Sequence, residues 1–108
     1  MIYELRTYHA MPGKMGALQA RFRDATTALF EKQGIKNVGY WTNAVGGSSD
    51  ELIYMLAFED FAHRERAMAA FGADPEWQRV RAESERDGIL NARFENRLMV
   101  PTDFSNLK

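Results

Sequence analysis

The sequence predicts an α+β domain of the ferredoxin-like class, with the order β-α-β-β-α-β and one four-stranded antiparallel sheet. Four runs of strand-forming residues and two helical segments between them indicate this order. Right-handed crossovers then bring the strands into one sheet with both helices on the same face. The 108 residues fit a single domain spanning 1–108, in which we expect residues 102–108 to form a C-terminal tail.

The first strand and the first helix carry the clearest patterns. Residues 2–9 are rich in β-branched and aromatic side chains, and Pro12-Gly13 ends that run and opens a helix. Apolar residues then recur at spacings of three and four along one stripe, at Met15, Leu18, Phe22, Ala25 and Leu29. Gly34 follows, where a left-handed residue would end the helix.

The next two strands form a predicted hairpin. Residues 36–45 and 51–59 are both strand-like, and the turn residues between them include Gly46 and Gly47. Two strands joined by about five turn residues are typical of a hairpin.

The second helix is predicted to be broken. Asp60 can cap a helix over residues 61–71, and Gly72 interrupts it. Asp74 and Pro75 then start a new helix, which ends near Gly88. Residues 92–100 complete the sheet.

The third strand is apolar on both faces. Leu52, Tyr54 and Leu56 point one way, whereas Ile53 and Met55 point the other. Because the helices cover only one face, we expect the other face to pack against a second copy, giving a homodimer. The alternative is an open face with scattered apolar residues.

Charged residues in the first and last strands of the sequence suggest how these two strands pair. One register sets Glu4 opposite Arg97 and Arg6 opposite Glu95, as a ladder that fixes the register. In the other interpretation, Glu4 or Arg6 contacts a ligand or the partner subunit.

Composition argues against several classes of function. The net charge of −1 gives no electrostatic footprint for nucleic acid, and the third strand has no basic residue for RNA recognition. The chain has no cysteine and only two histidines, so we expect no metal site. No apolar run is long enough to span a membrane, and Met1 leads directly into a strand, so a cytoplasmic location is expected.

Three short blocks are similar to one known family. Residues 2–8 with Pro12-Gly13-Lys14, then Asp74-Pro75-Glu76-Trp77, then residues 101–105 resemble the NIPSNAP family in family order. The resemblance implies a dimeric α+β barrel in which two sheets meet face to face. It also implies distant kinship with cofactor-independent monooxygenases, small-molecule isomerases and haem-degrading enzymes, and it carries no agreed catalytic motif.

The residues suggest a ligand pocket between the helices and the sheet. We expect Tyr40, Tyr54 and Trp77 to form its walls, with Thr7 as a polar group near its mouth. His9, at the end of the first strand, is the only candidate for a catalytic base. We therefore expect the protein to bind a small, largely apolar molecule. The family resemblance implies that it acts without a cofactor, as a monooxygenase or an isomerase; the alternative is a non-catalytic interaction scaffold.

Overall fold

A computed structural model, which describes every residue from Met1 to Lys108, contains one four-stranded antiparallel sheet. Its strands, in chain order, are β1 (Ile2–Ala10), β2 (Lys36–Trp41), β3 (Glu51–Phe58) and β4 (Asn91–Met99). They lie in the order β2-β3-β1-β4, so the central position of β1 and the β2–β3 hairpin confirm the predicted ferredoxin-like class. The strand β2 ends at Trp41, however, and not at residue 45 as predicted, because residues 42–50 form a long connection in which Val45 is almost fully exposed.

The first helix contains a π-helical turn. It consists of α1 (Met15–Arg21), a π segment (Phe22–Thr26) and α2 (Thr27–Lys32), which follow one another without a break. The wider i→i+5 turn accommodates one additional residue, so the inward-facing stripe shifts where the turn occurs.

This shift changes which residues of the first helix are buried. Leu18, Phe22 and Leu29 are buried as the periodicity predicts, whereas Met15 and Ala25 are only partly buried. Thr26 and Phe30, within and after the wider turn, are buried as well, and so is Arg21, the last residue before it. Gly34 has a φ of 78°, which confirms the predicted left-handed residue at the helix end.

The second helical region is broken as predicted, but at a different residue. The helix α3 (Phe61–Ala73) passes through Gly72, and α4 (Pro75–Ser84) begins after Asp74. Asp74 adopts an extended conformation with φ −67° and ψ 118°, because the residue before a proline is disfavoured in the helical region. Its carboxylate accepts a hydrogen bond from the Glu76 N–H at 3.0 Å, so one residue ends α3 and caps α4.

The core lies between the sheet and the helices. Leu52, Tyr54, Leu56 and Phe58 point from β3 toward the helices and are almost fully buried, which confirms the predicted alternation. Ile53 and Met55 lie on the opposite face, which we call the open face, and are only partly buried. Residues 101–107 cover one corner of the open face, beside Tyr3 and Met55.

The predicted pairing of β1 with β4 is wrong by one residue. Glu4 lies opposite Leu98 and Arg6 opposite Asn96, so Glu95 and Arg97 point to the open face. The register shifts after His9, where β4 has one additional residue. Because side chains alternate between the two faces of a strand, this bulge changes which residues of β4 share a face with each residue of β1. The charged residues of β1 therefore point toward the helices.

The helices do not cover the whole sheet. Phe94 and Leu98 lie on the helix-facing side of β4, yet 47% and 40% of their surface is exposed. The half of the sheet formed by β1 and β4 thus has room above it for a cleft. No helix in the structure is long and apolar enough to cross a membrane.

Candidate functional site

Aromatic side chains fill the space where a pocket beside Tyr40 and Tyr54 was expected. These two rings share a sheet face, with centroids 5.0 Å apart and planes inclined by 14°. Phe22 lies 5.0 Å from Tyr54 and Tyr8 lies 5.4 Å from it. Tyr54 has no exposed surface, so it belongs to the core and opens to no cavity.

Tyr40 borders a shallow depression at the edge of the sheet. This space of about 230 Å³ lies at the β2 edge, beside Gln19, Arg23 and Thr27. The Tyr40 hydroxyl donates to Asn37 Oδ1 at 2.6 Å. Burial, together with neighbouring Tyr8, raises the pKa of Tyr40 well above its usual range, so its hydroxyl stays neutral.

Thr7 and His9 lie on the open face of the sheet. Thr7 is paired with Ile53 and Glu95 across the neighbouring strands. His9 Nε2 lies 2.6 Å from Glu95 Oε1. The sheet therefore separates both residues from Trp77, and the four predicted ligand contacts do not form one pocket.

Trp77 lies beside the largest cavity, which we call the α4 cleft. This cleft of about 430 Å³ is bounded by α4 on one side and by the β1–β4 half of the sheet on the other. The rings of Tyr8, Trp77 and Phe94 line it. Its volume falls within the range of roughly 300–1,000 Å³ that is typical of small-molecule sites.

The α4 cleft is positively charged. Arg21, Arg81 and Glu85 line it from the helical layer, which gives a formal charge of +1 there. Arg93 also borders it, but lies opposite His9, at a position of β4 that alternates toward the open face. The whole chain carries −1. The lining therefore favours a ligand with negative charge.

The π segment and α4 together hold Arg21 at this cleft. Arg21 is the last residue before the π segment and is buried. Its Nη1 donates to Ser84 Oγ at 3.2 Å and to Glu85 Oε2 at 3.3 Å, and its guanidinium carbon lies 5.3 Å from the Trp77 ring centre. Thr26 Oγ1 donates to the Arg21 carbonyl at 3.3 Å. One buried cation thus lies against one wall of the cleft, and π-helical turns are frequent at functional sites.

Two buried polar atoms of the cleft lining have no hydrogen-bond partner. One is Nε of Arg21 and the other is Oδ1 of Asn91. Arg6 Nε also lacks a hydrogen bond, but it lies 3.4 Å from the Glu4 carboxylate. The unpartnered pair in the α4 cleft therefore consists of one donor and one acceptor.

A buried ionic network lies on the same face of β1. Glu4 is fully buried and accepts hydrogen bonds from Arg64 Nε at 2.7 Å and Asn96 Nδ2 at 2.8 Å. Burial by itself would raise the pKa of Glu4, but the hydrogen bonds from Arg64 and Asn96 and the charges of Arg6 and Arg64 hold it below its usual range. Glu4 is therefore ionised, and it joins β1 to α3 and β4.

Arg6 connects this network to the aromatic residues. Its Nη1 donates to the Tyr54 hydroxyl at 3.1 Å, and its guanidinium carbon lies 4.5 Å from the Phe94 ring centre. Phe94 also lines the α4 cleft. No three His, Asp or Glu side chains lie close enough together to hold a metal ion.

Sequence reasoning identified Trp77 but missed Arg21 and Asn91. Arg21 lies three residues after Leu18, which is a helix-facing spacing, yet an arginine there is most simply interpreted as exposed. Its burial comes from contacts with Ser84, Glu85 and Trp77, which the pattern of a single helix does not show. Asn91 precedes the predicted start of the last strand, so no pattern distinguished it from a turn residue.

Comparison with known proteins identifies relatives along nearly the whole chain. A family model described as NIPSNAP matches residues 3–106. Protein NipSnap homolog 3B from Mus musculus is 33% identical over 79 residues, which cover 70% of this chain and 30% of that protein. The chain thus matches about a third of that relative's length.

Solved structures share the fold. A NIPSNAP family protein of unknown function from Agrobacterium tumefaciens is 30% identical, with a TM-score of 0.86 over 100% of this chain and 94% of that one. SnoaB, a cofactor-independent oxygenase from Streptomyces nogalater, is 17% identical, with a TM-score of 0.63 over 94% of this chain and 93% of that one. The second likeness is one of fold alone.

Proposed function

The chain belongs to the NIPSNAP family, and from that premise we propose that it binds a small aromatic molecule in the α4 cleft. One observation carries the proposal, which is that three aromatic rings and the buried cation of Arg21 line a single open cavity. A cavity of this composition suits a ligand with a flat apolar body and one polar edge.

The position of Trp77 supports this proposal. Its ring is packed against Phe71 at 4.7 Å between centroids on one side and against the Arg21 guanidinium on another. These contacts fix the indole without filling the cleft. A ring already held in place costs little conformational entropy when a ligand stacks on it.

As the reaction, we propose cofactor-independent oxygenation of a ligand bound as its enolate or phenolate. The fold shared with SnoaB suggests this class. The anion would be held by the arginines and would supply the electrons. A CH₂ carbon of an anthrone would lose two hydrogens, one atom of O₂ would become its carbonyl oxygen, and the other would leave as water. Isomerisation of the same anion is the alternative reaction, and it consumes no O₂.

We also propose that a second copy of the chain covers the open face. Leu5, Ile53 and Met55 are only partly buried there, and Trp41 at the hairpin edge is 51% exposed. All helices pack on the other face, and residues 101–107 cover only one corner. A homodimer through this face matches the barrel that the family resemblance implies.

The two tryptophans provide a direct test of ligand binding. Trp77 lines the cleft, whereas Trp41 lies in the hairpin on the open face, opposite Ile53. In Trp41→Phe the only indole is the one in the cleft, and in Trp77→Phe the only indole is the distant one. We expect 3-hydroxy-2-naphthoate to quench the fluorescence of Trp41→Phe with saturation, and to leave Trp77→Phe with collisional quenching only.

An oxygen electrode with dithranol, an anthrone, tests the reaction separately. O₂ uptake above the rate without protein, lowered in Trp77→Ala, supports oxygenation. Saturable quenching without O₂ uptake would leave binding in place and contradict oxygenation. If no aromatic probe quenches Trp77, the binding proposal is wrong and the interaction-scaffold alternative becomes the better one.

A further inference from the structure

We infer that Arg21 and Asn91 are the specificity-determining pair of the α4 cleft, and that its ligand is an aromatic anion bearing both a carboxylate or carbonyl oxygen and a hydroxyl group. This inference rests on the proposed binding function. It names the ligand's polar edge, which the aromatic lining alone does not specify.

The two unpartnered atoms define that edge. Arg21 Nε carries a hydrogen that no acceptor receives, and Asn91 Oδ1 is an acceptor that no donor reaches. Both residues line the same cavity. A buried polar atom without a partner is costly and rare in native proteins, so two complementary ones at a single cleft indicate groups that a ligand completes.

Arg21 is oriented for this role by its other bonds. Its Nη1 is engaged by Ser84 and Glu85, and the Trp77 ring lies against the guanidinium. These contacts leave Nε and Nη2 without an acceptor, and Nε is the buried one of the two. A ligand oxygen that accepts from Nε carries negative charge most favourably, because a bond between two charged groups is about twice as strong as a neutral one.

Asn91 supplies the second requirement. Its position at the first residue of β4 places its amide at the end of the cleft where the strand begins. An amide oxygen accepts from a hydroxyl but repels a second carboxylate oxygen. The pair therefore distinguishes a hydroxylated aromatic acid from the unsubstituted acid and from the neutral phenol.

The pair contrasts with the other charges of the cleft. Arg81 also lines the cavity, but 63% of its side chain is exposed and it pairs with Glu85 at 3.5 Å. Exposed charges contribute a general attraction that salt screens. We therefore expect selectivity to depend on Arg21 and Asn91, and not on Arg81.

The experiment compares three probes of similar size, which are 3-hydroxy-2-naphthoate, 2-naphthoate and 2-naphthol. Each is titrated into the full chain carrying Trp41→Phe, and binding is followed by the fluorescence of Trp77. The hydroxy acid should bind most tightly, by roughly tenfold over either single-function probe. Asn91→Leu should abolish the preference for the hydroxy acid over 2-naphthoate. Arg21→Met should weaken both acids by roughly tenfold or more and leave 2-naphthol nearly unchanged.

Two further variants keep the outcome interpretable. Arg21→Lys retains the charge but lacks the Nε donor, so it should lose the selectivity among the three probes, and it serves as the test if Arg21→Met does not fold. Arg81→Met should retain the selectivity of the wild-type protein. Equal binding of all three probes by the wild-type protein, or the same loss in Arg81→Met as in Arg21→Met, would overturn the inference while leaving aromatic binding in the cleft intact. Failure of every probe to quench Trp77 would instead refute the binding function together with the inference built on it.

Discussion

Glu4 is a fully buried carboxylate in the middle of a strand, and its partners come from three directions. Arg64 reaches it from α3, Asn96 from β4, and Arg6 from its own strand. A buried charge of this kind contributes little to stability relative to a well-packed apolar residue, but removing one partner leaves the others uncompensated. The network therefore makes the β1–α3–β4 arrangement specific.

Glu4→Gln should destabilise the fold in a pH-dependent manner. At neutral pH the neutral amide leaves Arg64 and Arg6 without their counter-charge, which should lower the free energy of unfolding by about 3 kcal/mol. Because the pKa of Glu4 is lowered by folding, its contribution is complete above the ordinary glutamate pKa and is lost as pH falls through the lower folded value. The difference between wild type and Glu4→Gln in urea unfolding should thus be constant above about pH 5 and shrink below it.

Glu65 provides a matched control for this prediction. It also pairs with Arg64, at 2.6 Å, but its side chain is 56% exposed. Glu65→Gln should change stability by less than about 1 kcal/mol at any pH. If the two substitutions lowered the free energy of unfolding equally, the burial of Glu4 would not be the reason for its contribution to stability.

At the level of elements, one residue fixes where α4 begins. Asp74 ends α3, caps α4 through the Glu76 N–H and pairs with Lys32 Nζ at 3.0 Å. The bond and charge of Lys32, with the Glu76 N–H, lower the pKa of Asp74. Trp77 lies in the first turn of the helix that depends on this cap, so the position of the cleft wall depends on it as well.

Two substitutions separate the contributions of Asp74. Asp74→Asn should keep the cap and lose the ion pair, whereas Asp74→Ala loses both, so we expect the alanine variant to have the lower melting temperature. Both should be compared by circular dichroism at low and at 1 M salt. High salt should reduce the difference in melting temperature between wild type and Asp74→Asn, but not the difference between the two variants. If Asp74→Ala melts at the same temperature as Asp74→Asn, the cap plays no part in stability.

The elements show which features a single sequence can predict. Alternation in β3 and spacing in the first helix predicted their buried faces, because periodicity directly reflects burial. The additional residue at the start of β4 and the π segment were invisible, since a bulge or a wide turn inserts one residue without a characteristic composition. The bulge reversed the faces of Glu4 and Arg6 relative to β4, and Arg21 is buried by contacts with Ser84 and Glu85 that the spacing in its own helix does not reveal. The candidate site was mostly missed for these reasons.

At the level of the whole molecule, the open face decides the assembly. Met55 lies on this face in β3, paired with Leu5 and Gly39 and beside the C-terminal residues that cover one corner. Met55→Glu would bury an unpaired carboxylate in the proposed interface, at a cost of about 3 kcal/mol or more per interface. We expect wild-type protein at micromolar concentration to sediment at twice the monomer mass of 12.4 kDa, and the variant to sediment as a monomer.

Ala69→Glu is the control for assembly, because Ala69 is exposed on α3 on the far side of the sheet. It should remain a dimer. A wild-type species of 12.4 kDa would rule out the interface, and a dimeric Met55→Glu would place it elsewhere on the surface.

The central position of β1 also determines when the chain can fold. Its first partner, β3, ends at Phe58, whereas its second, β4, ends at Met99, so one of its edges stays unpaired until β4 has also been synthesised. Arg64 can reach Glu4 early, but Asn96 cannot. Before β4 joins the sheet, β1 can pair only with β3, and the Glu4 carboxylate lacks its hydrogen bond from Asn96. Contacts between residues so distant in sequence slow folding, so we expect docking of β4 to be a late step in folding.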